Sequence, residues 1–221
     1  MAILYVQSGT GAGGGTTTTY TINGVTKGNF IAVAVSIPGM TAITSFTDNF
    51  NNTWAISNNF GTSSAYIYTT NINTSGNMII TIDITSPNGN VNITWHEYSG
   101  TLNTTIDKQI TAQSYFATNT ANSGSTSNIS KKDEIVLSAI QYDYDSIITG
   151  DIDYSNLVFN NTSSIGGGGG AAIALQGKIV SSISTQNSSS TFIPDSIWGI
   201  ITATYAGITE VISPFPSFFR L

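Results

Sequence analysis

Residues 41–100 repeat one unit without interruption: a short run in which apolar residues alternate with small or polar ones, closed by a cluster of Asn, Gly or Ser. Residues 65–70, 78–85 and 91–98 alternate in this way, and the clusters at 71–77 and 86–90 separate them, the second containing Pro87-Asn88-Gly89. A period of two puts successive side chains on opposite faces of an extended chain, the pattern of a half-buried strand and one that a helix of 3.6 residues per turn does not produce. Turns this short join antiparallel neighbours. Residues 48–52 (DNFNN) break the chain in the same manner between 43–46 and 53–56, so five strands are predicted in this region.

The flanks carry the same signal. Residues 3–7 predict a short strand, 9–15 (GTGAGGG) a flexible loop with too few side chains to pack, and 16–22 a strand with one wet face. Residues 29–37 (NFIAVAVSI) predict a central strand buried along most of its length. Beyond residue 100, strands are predicted at 106–118, 134–142, 157–159, 171–184 and 192–205, with 119–130 (NTANSGSTSNIS) as a polar loop and Gly177 as a bulge. The five glycines 166–170 predict a mobile loop or a place where another backbone packs closely. Nowhere do apolar residues recur at i, i+3, i+4 and i+7 over three turns. The expectation is all-β: a single antiparallel sandwich of about ten strands over residues 1–207, then a tail, 208–221 (ITEVISPFPSFFRL), that differs in kind. Its two prolines force an extended path, and Phe215, Phe218 and Phe219 either cover an open end of the core or insert into a neighbouring subunit.

Charge separates this chain from ordinary domains. Charged residues make up 8% of it, against about 25% in typical globular proteins, so Ser, Thr, Asn and Gly must cover the solvent faces. Their hydrogen bonding does not titrate, which suits an exposed life in acid, or a repetitive extracellular surface at any pH. A net charge of −6 with six Lys and Arg and no basic cluster argues against nucleic acid as a partner. No stretch approaches the roughly 18–20 uninterrupted apolar residues of a membrane span. The chain has no Cys, which excludes a disulfide framework and a Cys-ligated metal. The start, MAILYVQSG, lacks a basic n-region and reads as a strand, not a signal peptide. Exterior composition without an export signal is expected of virion components released by lysis, or of a mature chain whose leader has been replaced by Met.

The segments KGNFIAVAVSI, TSFTDNFNNTW, AYIYTTNI, MIITIDIT, WHEYSGTLNTTID and SIWGIITATY, taken together, resemble a jelly-roll β-sandwich domain that recurs in secreted bacterial surface proteins, phage tail proteins and archaeal virion turret and vertex proteins. The likeness covers most of the chain. Its motifs are turns and strands with no catalytic signature; it implies a jelly-roll fold, with Trp54 and Trp198 at core positions and Glu97 in a structural strand. Asn51 or Asn52 stands where the family prefers Gly, a mild departure because Asn also accepts a left-handed turn.

Candidate chemistry is sparse. His96 is the only histidine, and its neighbour Glu97 must point to the opposite face of a strand, so the two do not form an acid–base pair. No Ser sits in a G-x-S-x-G elbow, and no catalytic residue is assigned. Asp143, Asp145, Asp151 and Asp153 in YDYDSIITGDIDY form the densest acidic group. Alternate spacing puts each pair on one side of the chain, where oxygen ligands for Ca²⁺ or a glycosidase carboxylate pair would stand, unless they simply flank a turn at Thr149-Gly150. No other cofactor is implied. Sequons begin at Asn51, Asn73, Asn92, Asn103, Asn128, Asn160, Asn161 and Asn187; of these Asn128, Asn160 and Asn187 fall in predicted loops and are the glycosylation candidates. Trp54, Trp95 and Trp198, with Tyr66 and Tyr68, have the rings for a sugar-stacking platform.

The expected function is therefore a non-enzymatic structural protein of an exterior assembly, a turret, vertex or spike protein on a virion or cell surface, forming homo-oligomers or co-assembling with other structural proteins. A filament subunit whose glycine-loosened arm, 1–15, completes a neighbour's sheet is the first alternative. A carbohydrate-binding module recognising a surface glycan or receptor is the second.

Overall fold

The computed structural model describes residues 3–37, 42–57, 64–85, 90–100, 102–143, 145–160 and 171–208. In chain order its strands are β1 (Leu4–Gly14), β2 (Thr17–Val25), β3 (Phe30–Ile37), β4 (Ile43–Asp48), β5 (Ala55–Ile56), β6 (Ser64–Asn71) and β7 (Gly76–Ile84). They continue as β8 (Asn90–Ser99), β9 (Gln109–Asn122), β10 (Glu134–Asp143), β11 (Ile147–Thr149), β12 (Ser155–Asn160), β13 (Ala171–Val180) and β14 (Ser189–Ala206). The described residues form no helix, and every strand pairing is antiparallel.

Three sheets, not two, take up the strands. One has the order β1-β8-β3-β6-β5, the second β11-β14-β10-β13-β12 with β9 also on β14, and the third β2-β7-β4. The first sheet lies between the other two. Along β3, Ile31, Val33, Val35 and Ile37 pack with Tyr20, Ile22, Met78, Ile80 and Ile82 of the third sheet. Phe30, Ala32 and Ala34 alternate with them and pack with Ile135, Leu137, Ile173, Leu175, Ile201 and Tyr205 of the second. This layering is why the expected sandwich of about ten strands becomes fourteen strands in three sheets. The strands β3, β8 and β10 are buried on both faces, whereas β2 alternates exposed and buried residues over most of its length; alternation identifies strands with one wet face but does not reveal a further layer over a doubly buried one.

A third cluster fills the outer face of the second sheet, where Ile140, Tyr142, Ala174 and Ile200 meet Ala121, Ile148 and Phe192. The chain bends between Thr191 and Trp198, so Phe192 stacks on Tyr142, centroids 5.5 Å apart, although Tyr142 pairs with Trp198 in the sheet. The segment predicted as a polar loop completes this cover. Ser123, Thr126 and Ile129, spaced by three, are buried, and their N–H groups donate to Ser188 O, Gln186 O and Ser184 O at 2.9, 2.8 and 3.1 Å. It is an ordered strap held by hydrogen bonds rather than charge.

Two glycine assignments change. Residues 9–14 belong to β1, not to a flexible loop: Gly9, Gly11 and Gly13 pair with Trp95, Ile93 and Val91 of β8. A Cβ on Gly9 would lie 2.7 Å from the Trp95 indole, and one on Gly11 or Gly13 would overlap Tyr20 or Thr18, so the bare strand is what lets these side chains pack across it. Gly177 is likewise no bulge. It keeps register with Leu137, and a Cβ there would overlap the Tyr98 hydroxyl, so the glycine permits the first and second sheets to approach. The five glycines 166–170 and the turn Pro87-Asn88-Gly89 lie outside the described residues.

Candidate interaction surface

β9 is the longest strand that borders a sheet. It pairs with β14 along one side, and among the described residues no strand pairs with its other side. The pairing is irregular at its middle: Thr118 faces Ser196 and Ser114 faces Trp198, so Tyr115, Phe116 and Ala117 together oppose Ile197. The bulge turns aromatic rings outward, Tyr115 being 59% and Phe116 81% exposed. Next along β14, Ile193 is 74% exposed, and its cross-strand partner Ile147 on β11 is 65% exposed. Backbone groups at the bulge are capped locally: Ser114 Oγ donates to Phe116 O at 2.8 Å and accepts from Phe116 N at 3.3 Å, and Thr118 Oγ1 donates to Thr120 O at 3.2 Å. The sequence QITAQSYFATNTAN contains no charged residue and no Pro, so the usual devices that discourage edge pairing are absent apart from the bulge. The strand was predicted at 106–118, but these aromatics were not singled out; the signal is the SYF triplet, where alternation fails.

The predicted acidic group is spread over several jobs. Asp143 ends β10, its backbone N–H donating to Ser196 Oγ at 2.8 Å and its carboxylate accepting from Ile197 N at 3.1 Å. Asp151 accepts from Asp153 N at 3.0 Å and from Ser189 N and Oγ at 2.8 and 3.2 Å. Burial lowers the pKa of the Lys178 ammonium, with Asp153 and Asp151 acting in the opposite direction; its Nζ sits 4.5 Å over the Tyr154 ring. Asp145 lies in the turn between β10 and β11. Among the described residues no group of three or more His, Cys, Asp or Glu side chains is placed to hold a metal ion.

His96 and Glu97 do face opposite ways. The Glu97 carboxylate is buried beside the third sheet and accepts from Gln7 Nε2, Thr26 N and Asn29 Nδ2 at 2.5, 3.0 and 2.7 Å. His96 lies on the other side, Nδ1 3.0 Å from Tyr98 Oη, with the Tyr5 ring edge-on at 5.8 Å. Burial lowers its pKa to about 4, the backbone of Asn156 acting in the opposite direction.

Among the sequons, Asn128 and Asn187 are exposed in irregular segments. Asn160 is not in a loop: it ends β12, is buried, and its Nδ2, the atom glycosylation modifies, donates to Gly11 O at 2.6 Å. Phe215, Phe218 and Phe219 lie outside the described residues. The sugar-stacking rings are largely committed elsewhere. Tyr68 is buried and stacked on Phe46 at 3.9 Å, Trp95 belongs to the core between the first and third sheets, and Trp198 Nε1 donates to Thr118 Oγ1 at 2.7 Å.

The motif TDNFNNTW is built around Asp48. Its buried carboxylate accepts from Phe50 N at 2.7 Å, Asn52 Nδ2 at 3.1 Å and Trp54 Nε1 at 2.6 Å, while Asn51 takes the left-handed conformation at φ 54°. The motif is a folded turn that seats Trp54 against Phe46. No helix among the described residues is long and apolar enough to cross a membrane. Compared with protein-family models, curated proteins and solved structures, the chain matches none.

Proposed function

We propose that this chain is a non-enzymatic structural subunit of an exterior assembly, a turret, vertex or spike protein of a virion, with the jelly-roll winding that its motifs resemble. The observation that carries the reading is the uncharged β9 border with Tyr115 and Phe116 exposed, together with the exposed cross-strand pair Ile193 and Ile147 on the same sheet. Large apolar side chains grouped at a surface mark contact sites for other macromolecules, and an unpaired strand border beside them offers backbone hydrogen bonds as well. The polar strap on the second sheet supports the same reading, since it is held by hydrogen bonds between groups that do not titrate. Electron microscopy with mass measurement at pH 3 and pH 7 tests it. Rings, clusters or other closed assemblies are expected; a monomer at every concentration and both pH values contradicts it.

Filament building by strand donation is the second reading. It is favoured by β1 lying at the border of its sheet, paired there with β8. Deleting residues 1–14 distinguishes the two arrangements. A folded chain that no longer assembles speaks for donation, whereas loss of the fold speaks for β1 completing its own domain.

A further inference from the structure

We propose that residues 209–221, which lie outside the described residues, dock on their own chain in a cavity at one end of the first and second sheets. This goes beyond the assembly reading and holds equally for a monomer. The cavity forms where strands run out: β10 begins at Glu134, opposite Val180 at the end of β13 and Ala206 at the end of β14. Among Ile3 before β1, Lys131, Lys132 and Asp133 before β10, Ile183 after β13 and Ile208 after β14 lies a space of about 520 Å³. Ile3 also belongs to the apolar cluster between the two sheets, so the cavity adjoins the core. Two further apolar side chains on its wall stand in water, Ile183 being 60% and Ile208 54% exposed.

Position, composition and charge name the occupant. The last described residue, Ile208, is itself part of the cavity wall, so the segment that follows is delivered to the site by its own covalent bond. Docking from so short a tether is intramolecular and avoids the cost of bringing two molecules together. A sphere of 520 Å³ is about 10 Å across, a span that about three extended residues cover, so the segment is long enough to cross the cavity. Its sequence, TEVISPFPSFFRL, carries Val211, Ile212, Phe215, Phe218 and Phe219. The polar connection 119–130 has nothing comparable, and burying such side chains against Ile183 and Ile208 removes apolar surface from water on both sides of the contact. The charges are complementary as well. The wall carries the cations Lys131 and Lys132 and the anion Asp133, and the segment carries one anion, Glu210, and one cation, Arg220. Neither lysine enters an ion pair among the described residues, and Glu210 stands only two residues beyond Ile208.

The test uses the full chain. Because it has no Cys, Ile183→Cys is combined in turn with Phe215→Cys, Phe218→Cys and Phe219→Cys, and mild oxidation at high dilution is read by mass and by loss of free thiol. A disulfide within one chain is expected in at least one pair. Disulfides that only join two molecules assign the segment to a neighbour's cavity and overturn the proposal, and so does the absence of a disulfide in every pair. Stability gives an independent reading. Ile183→Ser, and the triple variant Phe215→Ser, Phe218→Ser and Phe219→Ser, are each expected to lower the melting temperature by about 3–6 °C at every protein concentration, and their combination by less than the sum. Unchanged melting temperatures, or losses that depend on protein concentration, contradict docking within one chain. A wild type that stays monomeric contradicts the assembly reading and leaves this one standing, because the expected cross-link joins two residues of the same molecule.

Discussion

His96 ties the core to pH. Its pKa is lowered to about 4 by burial, below the ordinary value near 6.5, so the neutral ring is the form the fold accommodates. The resulting stability is fully present above pH 6.5 and is lost as pH falls through 4, about 3 kcal/mol in all. A melting profile from pH 7 to 4 is expected to slope downward in the wild type and to flatten in this window in His96→Gln. Parallel profiles contradict the assignment. Asp48 makes a different prediction. Replacing it with Ala strips the partners from Phe50 N and Trp54 Nε1, and urea unfolding is expected to show a loss of about 2–3 kcal/mol; a change within experimental error means the turn is held by something else. At this scale the sequence already indicated that His96 and Glu97 diverge and that Asn tolerates the left-handed place in the turn. The role of Asp48 was hidden, since Phe50 N, Asn52 N, Asn52 Nδ2 and Trp54 Nε1 converge on it only after the chain has turned back.

Elements were legible from short alternating runs bounded by polar clusters. The predicted strands at 65–70 and 91–98 lie within β6 and β8, and 78–85 overruns the end of β7 at Ile84 by one residue; of the three, only β7 alternates buried residues with more exposed ones along its length. β11 was missed: three residues give no period, and Ile148 is buried only because β14 bends back beside it. The polar loop predicted at 119–130 starts inside β9, which runs on to Asn122, and its remainder, 123–130, is a loop without strand pairing, one that has Ser and Thr where a core would have Ile and Leu. Its order comes from hydrogen bonds to residues near 186, some sixty positions away. The β1 glycines misled for the converse reason. Glycine lowers strand propensity by its freedom, but here the space is taken by Tyr20, Thr18 and Trp95 from neighbouring elements. Gly11→Val is therefore expected to destabilise by about 1–3 kcal/mol, read from chemical denaturation, with faster proteolysis near the N-terminus. An unchanged midpoint contradicts the close packing of β1 under β2.

The whole molecule depends little on ion pairs: Lys108–Asp107 is the one salt bridge among the described residues. Its response to acid therefore comes from a few buried groups that pull in opposite directions. His96 loses stability on acidification, whereas burial raises the pKa of Glu134, so protonating that carboxyl favours the folded state as pH falls through its raised value. Composition indicated the charge-poor surface directly. The three-sheet layering was not legible, because covering both faces of β3 requires partners from distant parts of the chain. Sedimentation of the wild type across a concentration series, at low salt and at 1 M salt, tests the central claim of assembly through an uncharged apolar border. Association that grows with concentration and survives 1 M salt, where the screening length is about 3 Å, is the expected result. A monomer throughout, or an assembly that salt dissolves, contradicts it.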